Sequence, residues 1–142
     1  MLSIFKSKIS KENSKRMGIM ILVFFFNYPL FANTLLPSII IKDCYDGDTC
    51  TTIEGEKIRL ACIDTPELKG KNAEPASAQE ARDFLNDLIA NQMVTIRRIT
   101  NDRYGRTVAE LYKNNINIQE TIIKKGYGKI YEKYADQCDW TQ

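Results

Sequence analysis

Lys57-Ile58-Arg59-Leu60-Ala61-Cys62-Ile63-Asp64-Thr65-Pro66-Glu67 begins as a strand and closes as a polar turn. Lys57 to Ile63 alternates polar and apolar side chains, the pattern of a half-buried strand. Pro66 ends it, because proline has no N–H to give to a strand ladder. Upstream, Ile39-Ile40-Ile41 starts a β-rich run that continues through Cys44-Tyr45, turns at Asp46-Gly47-Asp48 and resumes from Thr49 to Ile53. Glu54-Gly55-Glu56 is a hairpin signal joining that run to Lys57. The first half is therefore expected to be a three-stranded meander.

Downstream, Lys69 to Pro75 is polar and aperiodic, an exposed loop beside Glu67. From Ala76 the period becomes helical: Ala78, Ala81, Phe84, Leu85, Leu88 and Ile89 recur three and four residues apart. Ser77 and Glu80 have capping-box spacing, and the helix should end near Asn91. Val94 to Ile99 and Thr107 to Tyr112 read as two strands around the Asn101 to Gly105 connection. Asn114-Asn115 marks a turn, Ile116 to Lys125 a second short helix stopped by Gly126, and Lys129 to Tyr134 an extended tail. This order predicts an α+β, mainly β fold: a five-stranded, partly open Greek-key barrel of the OB type with two helices. Such a fold does not dictate a function, so the argument passes to the residues.

The chain has 142 residues, 44% of them hydrophobic, enough for one domain with one core and too apolar for disorder. Its net charge of +2 is uneven. Lys6, Lys8, Lys11, Lys15 and Arg16 against Glu12 give the first sixteen residues +4, which leaves −2 for the remainder. Net charge thus supplies no argument for a nucleic-acid partner, and any attraction must come from a local patch such as Arg97, Arg98, Arg103 and Arg106. The basic leader precedes the apolar run Met17 to Phe26 and Pro29-Leu30-Phe31-Ala32, the layout of a secretory signal cleaved after Ala32. An uncleaved anchor is the alternative, although the run is shorter than the roughly 20 residues of a spanning helix. Residues 1–32 are read as this leader and 33–142 as the single folded domain, secreted or periplasmic, membrane-held only if the leader is retained. No lipobox cysteine follows the apolar run.

Cys44, Cys50, Cys62 and Cys138 all follow the leader, and in an exported chain they permit two disulfides in three pairings. Cys50 and Cys62 are expected to be small apolar core residues on neighbouring strands, with Cys138 tying down the C-terminus. No Cys-x-x-Cys spacing exists, which argues against structural zinc.

The polar chemistry lies in three islands: Asp46-Gly47-Asp48-Thr49, Arg59 to Glu67, and Arg103-Tyr104-Gly105-Arg106. Asp46 and Asp48 flank a glycine, and side chains two apart point the same way if the backbone stays extended. Close like charges are relieved by a cation. Asp64, at the end of the third strand, can be brought beside Asp48. Asp48, Asp64 and the backbone carbonyl of Thr65, with water, make an all-oxygen site for Ca²⁺ or Mg²⁺. Arg59, five residues before Asp64, and Arg106, after a Tyr-Gly bend, offer planar forks for phosphate oxygens. With Glu67 for proton transfer and no histidine in the chain, these parts describe a metal-assisted phosphodiesterase. Each island alone is an ordinary turn or a surface ion pair. Their weight lies in coincidence and order.

Asp46-Gly47-Asp48-Thr49, Ile58-Arg59-Leu60 leading to Ile63-Asp64-Thr65-Pro66-Glu67, and Asp102-Arg103-Tyr104-Gly105-Arg106 together resemble the staphylococcal nuclease (thermonuclease) family, over about Ile39 to Tyr134. The resemblance implies the five-stranded OB barrel and Ca²⁺-dependent cleavage of DNA and/or RNA to 3′-phosphate ends, by a monomer without a stable protein partner. It implies Asp48, Asp64 and the Thr65 carbonyl as Ca²⁺ ligands, with Asp46 in support. Glu67 would orient or deprotonate water, and Arg59 and Arg106 would hold and neutralise the scissile phosphate. Tyr104 and Tyr134 resemble nucleotide-contacting tyrosines. Glu132 stands where a further tyrosine is expected, the lysine-rich loop keeps only Lys69 and Lys71, and the chain stops at Gln142 where relatives often continue into a helix. A disulfide through Cys138 would compensate for that helix. The competing reading is a catalytically silent OB module that binds nucleic acid or protein.

Overall fold

The computed structural model describes residues 35–142, so the signal or anchor expected over residues 1–32 lies outside the described residues. The chain forms β1 (Ser38–Cys44), β2 (Thr49–Thr52), β3 (Lys57–Leu60), β4 (Ile63–Asp64), α1 (Pro75–Ile89), β5 (Met93–Asn101), β6 (Thr107–Lys113), β7 (Ile116–Asn117), α2 (Ile118–Lys124) and β8 (Lys129–Ile130), followed by two 3-10 turns, Glu132–Gln137 and Asp139–Thr141. The sheet order is β3-β2-β1-β5-β6-β7. A parallel pairing of β3 with β6, Ile58 opposite Thr107 and Leu60 opposite Ala109, closes five of these strands into a barrel. The predicted five-stranded, mainly β barrel is therefore the observed one. Closure removes the free edges an open sheet would present.

Alternation decides what faces inward. Ile58 and Leu60 on β3, Val94 and Ile96 on β5, and Ala109 and Leu111 on β6 fill the interior. The helix α1 caps it with Ala78, Ala81, Leu85 and Ile89 on one buried face. Its start differs from expectation. Pro75 is the first helical residue and Glu74 the flanking one, and no side chain caps the end, so Ser77 and Glu80 do not form the box. Proline's fixed φ and missing N–H suit the first turn, which places Ser77 already inside the helix. The short α2 is capped by Asn117, whose side chain accepts from the Glu120 N–H at 3.0 Å, and fully buried Gln119 ties it to β6 through the Ala109 carbonyl at 2.9 Å.

Three further expectations are corrected. The third strand does not run unbroken to Ile63: Ala61 and Cys62 turn a corner, with Cys62 at φ 64°, so Arg59 and Asp64 lie on separate strands, and β4 pairs with β8 instead. The tail is extended only at Lys129–Ile130 before coiling into 3-10 turns. Cys50 and Cys62 are not free core residues, because Cys44 bonds Cys50 across β1 and β2 and Cys62 bonds Cys138. The last of these ties down the C-terminus as expected.

A buried carboxylate organises the barrel wall beneath that tail. Glu110 is 1% exposed and accepts from Arg97 Nε, the Tyr112 hydroxyl at 3.0 Å and Trp140 Nε1 at 2.9 Å. Arg97 also donates to the Gln137 carbonyl at 2.9 Å. Arg98, by contrast, pairs with Glu56 in solvent. Both arginines are thus engaged by carboxylates and do not belong to the free basic patch expected of them. Replacing Arg97 by Met strands a buried charge and should cost about 3 kcal/mol or more. Arg98→Met breaks an exposed pair and should cost under about 1 kcal/mol. Urea unfolding of the two variants checks the contrast, and equal losses would contradict it.

Candidate active site

Asp48 is the meeting point of the three islands. Its backbone carbonyl accepts from the Leu60 N–H at 2.8 Å, which pins the Asp46–Thr49 bend to the end of β3. One carboxylate oxygen accepts from the Thr65 N–H at 3.2 Å and the Thr65 hydroxyl at 3.0 Å, and faces Arg59 at 3.1 Å. The other accepts from the Thr49 hydroxyl at 3.2 Å. Asp46 is also buried, and its carboxylate accepts from the Asp48 N–H at 3.0 Å. The residues between them bend instead of staying extended, so these carboxylates form a closed Asx turn and not a solvated one. Burial is the largest influence on the Asp48 carboxyl, and Arg59 opposes it. Asp46 adds to the rise, while Thr65 and Thr49 subtract, and the group is left at about 7. Burial therefore disfavours the charged form of Asp48 more than its Arg59 and threonine partners favour it.

Two arginines converge from different strands. Arg59 donates to the Leu60 and Ile63 carbonyls at 2.6 and 2.9 Å, which fixes the plane of its fork beside Asp48. Arg106 donates Nε to Asp102 at 2.7 Å and reaches the Thr49 hydroxyl at 3.3 Å. Asp102 also accepts from the N–H groups of Tyr104 and Arg106 at 2.9 and 3.0 Å, closing the Asp102–Arg106 turn. Burial would raise the Asp102 carboxyl, but the bonds from Arg106 and Tyr104 hold it below its ordinary value. Both guanidinium groups are thereby linked to Asp48, Arg59 directly and Arg106 through Thr49.

Arg59, Arg106, Tyr104 and Tyr134 line one cleft of about 460 Å³. Tyr104 is 67% exposed, and the Arg103 and Arg106 guanidinium groups lie 4.8 and 5.5 Å from its ring centre. Tyr134 meets Tyr131 edge to face at 5.2 Å. Asp46, Asp48, Asp64, Thr65 and Glu67 do not line this cleft; Asp48 adjoins it through Arg59. Asp64 faces Lys129 at 3.6 Å. Glu67 is exposed, on a loop whose closure depends on its carbonyl accepting the Glu74 N–H at 3.0 Å.

The donor set fits a hard cation. Asp46, Asp48 and Asp64 with the Thr49 and Thr65 hydroxyls offer only oxygen, and two of the carboxylates, Asp46 and Asp48, are buried within two residues of one another. Among the described residues no three acidic side chains are grouped closely enough to hold an ion by themselves, so a backbone carbonyl and water would have to share the coordination.

Sequence reasoning assigned no role to Thr49, Asp102, Asn86, Tyr131, Lys133 or Gln137. Asn86 clasps the site from α1, accepting the Cys44 N–H at 2.8 Å and donating to the Cys44 carbonyl at 3.0 Å. Only its place on the polar flank of α1 hinted at this. The glycine of the Asp46-Gly47-Asp48 motif has a steric reason instead: a Cβ at Gly47 would lie 2.8 Å from both the Ala81 Cβ and the Thr65 Oγ1. At Gly128 a Cβ would lie 2.9 Å from the Asp64 carbonyl oxygen. Gly47→Ala should therefore cost about 1–3 kcal/mol by overpacking, with the Thr65 contact to Asp48 disturbed. Gly55→Ala, where the space is open and only φ 88° is strained, should cost about 1 kcal/mol. Chemical denaturation of both checks the order.

Residues 57–142 match the family model for staphylococcal nuclease homologues. An uncharacterized endonuclease of Escherichia coli is 28% identical over 123 residues, 84% of this chain and 76% of that protein. An uncharacterized endonuclease of Haemophilus influenzae is 35% identical over 94 residues, 63% of this chain and 50% of its own length. A staphylococcal-like nuclease of Arabidopsis thaliana is 34% identical over 87 residues, 59% of this chain but 25% of that longer protein. The matched segment contains the barrel closure, Arg59, Asp64, Glu67 and Arg106, and more than half the chain: this protein belongs to the staphylococcal nuclease homologue family.

Proposed function

We propose that this protein is a nuclease that hydrolyses phosphodiester bonds of DNA and/or RNA in a Ca²⁺-dependent reaction, leaving 3′-phosphate ends. The observation that carries the reading is the convergence of Arg59 and Arg106 in one cleft, each linked to the buried Asp48. Nuclease-named relatives and family membership support it.

In this reading Asp48, Asp64 and the Thr65 carbonyl hold Ca²⁺, with Asp46 supporting Asp48 from behind the bend. The ion supplies positive charge that polarises the phosphate and acidifies nearby water. Arg59 and Arg106 bind the non-bridging oxygens, and their charge cannot be lost by deprotonation as negative charge builds on phosphorus. Arg59 is preset by two carbonyls and Arg106 by Asp102, so little reorganisation is needed when the phosphate arrives. Glu67, exposed at the loop, orients the attacking water and takes its proton. The 5′ oxygen leaves, and the phosphate stays on the 3′ side. Tyr104 and Tyr134 offer faces to the sugar and base, which suits single strands and frayed duplex ends. The two disulfides suit an extracytoplasmic setting, and the protein acts as a monomer.

Digestion of single-stranded DNA and RNA oligonucleotides with Ca²⁺, with chelator and with Mg²⁺ as competitor tests the reading. Cleavage with Ca²⁺ that chelator abolishes is expected. Unchanged substrate length under every condition would favour the silent binding module instead. Arg59→Ala, Arg106→Ala and Glu67→Ala should each lower kcat by about 10²–10³, the loss typical of removing one transition-state contact. Circular dichroism must show each variant folded, and a near-wild-type rate in a folded Arg59→Ala would contradict the assignment.

A further inference from the structure

One wall of the cleft is a segment with almost no core of its own. Tyr131, Lys133, Tyr134 and Gln137 line it from the tail, opposite residues of β3 and the 101–106 turn. Between residues 131 and 142 the single buried residue is Cys138. The two 3-10 turns bury no residue of their own. β8, just before them, pairs with β4 through only Ile63–Ile130 and Asp64–Lys129. The remaining ties are the half-buried Trp140, which packs against the core, and single polar contacts: Tyr131 N–H to the Cys62 carbonyl at 2.9 Å, Arg97 to Gln137 and Trp140 to Glu110. Segments held this way, with few buried apolar contacts, open far below the global unfolding threshold.

The covalent tie falls at the cleft itself. Cys62 is a cleft residue at the corner between β3 and β4, and its bond to Cys138 spans 76 positions in sequence. We infer that formation of the Cys62–Cys138 disulfide completes the substrate cleft, so that the protein binds polynucleotide productively only after oxidation. This regulation rests on the nuclease reading above. Two thiols give up two electrons and two protons to a small disulfide oxidant such as oxidised glutathione, one S–S bond forming as another breaks. Cys138 is 0% and Cys62 4% exposed, so reductant reaches the formed bond poorly. The step is a maturation that confines activity to oxidising surroundings, not a reversible sensor. The Cys44–Cys50 bond has no such role: it closes only 6 positions and neither sulfur lines the cleft.

Trp140, the chain's one tryptophan, lies in the tail and packs against the Cys62–Cys138 cluster, so its emission reports docking of the wall. The comparison uses oxidised wild type, wild type reduced with dithiothreitol in urea and refolded with its thiols kept reduced, and Cys62→Ser/Cys138→Ser, at a temperature where circular dichroism shows the barrel intact. The expected result is red-shifted Trp140 emission with a KM for a Ca²⁺-supplied oligothymidylate raised about tenfold or more in the two unlinked forms, as a tail docked only part of the time requires. Oxidised glutathione should restore the reduced wild type and not the variant. Equal KM and emission in linked and unlinked protein overturn the inference. So does loss of the whole barrel in Cys62→Ser/Cys138→Ser, since that bond would then hold the fold and not the wall. If the oxidised protein cleaves nothing, the nuclease reading fails, and Trp140 emission with oligothymidylate anisotropy still decides whether the bond builds the cleft.

Discussion

A carboxylate taken out of water must be met by hydrogen-bond donors or by positive charge, and the buried Asp48 imposes that demand on the whole active end of this barrel. Thr65 and Thr49 meet part of it, Arg59 another part, and the ends of β2 and β3 and the loop after β4 are drawn together as a result. Satisfying one group thus places two others: Arg59 is held in the wall of the cleft, and Arg106 is linked to Asp48 through Thr49. Asp46 makes the demand larger by adding charge close by. A site built in this way holds its two arginines in fixed positions, the preorganisation that the proposed phosphate chemistry would use.

The rest of the architecture protects that arrangement. Closure of β3 on β6 fixes the strand that carries Arg59 against the strand that follows Arg106. Asn86 holds the neck of the Asp46–Thr49 bend to α1, and Gly47 lets the bend press against Ala81 and Thr65. Beneath the tail Glu110 plays the part that Asp48 plays at the site: Arg97, Tyr112 and Trp140 gather on it. Burial of a charge is costly, yet in both places the cost fixes a single geometry.

Much of this was legible in the sequence because it rests on periodicity and turn chemistry. The alternation of β3, β5 and β6, the helical spacing from Ala78 to Ile89, and the Asn114-Asn115 turn, with φ of 50° and 64°, report local rules that tertiary packing did not override. What was missed depends on partners distant in sequence. The corner at Ala61–Cys62 lies where Cys62 is bonded to Cys138, 76 positions away, and no local pattern announces it. Arg97 and Arg98 look alike on the strand, but one meets a buried Glu110 and the other an exposed Glu56. Ser77 and Glu80 have the spacing of a cap, and Pro75 pre-empts them by starting the helix earlier. The candidate carboxylates and arginines stand in three sequence motifs, whereas Asp102 and Thr49 acquire a part only when the Arg106 side chain is placed between them.

Calorimetric titration of the folded protein with Ca²⁺, beside an Asp48→Asn variant shown to keep its barrel, tests the Asp48-centred site most directly. One ion bound by the wild type, with affinity lowered at least about tenfold when the single charge is removed, is the result this account predicts. Equal Ca²⁺ binding by both proteins, or none by either, would contradict it.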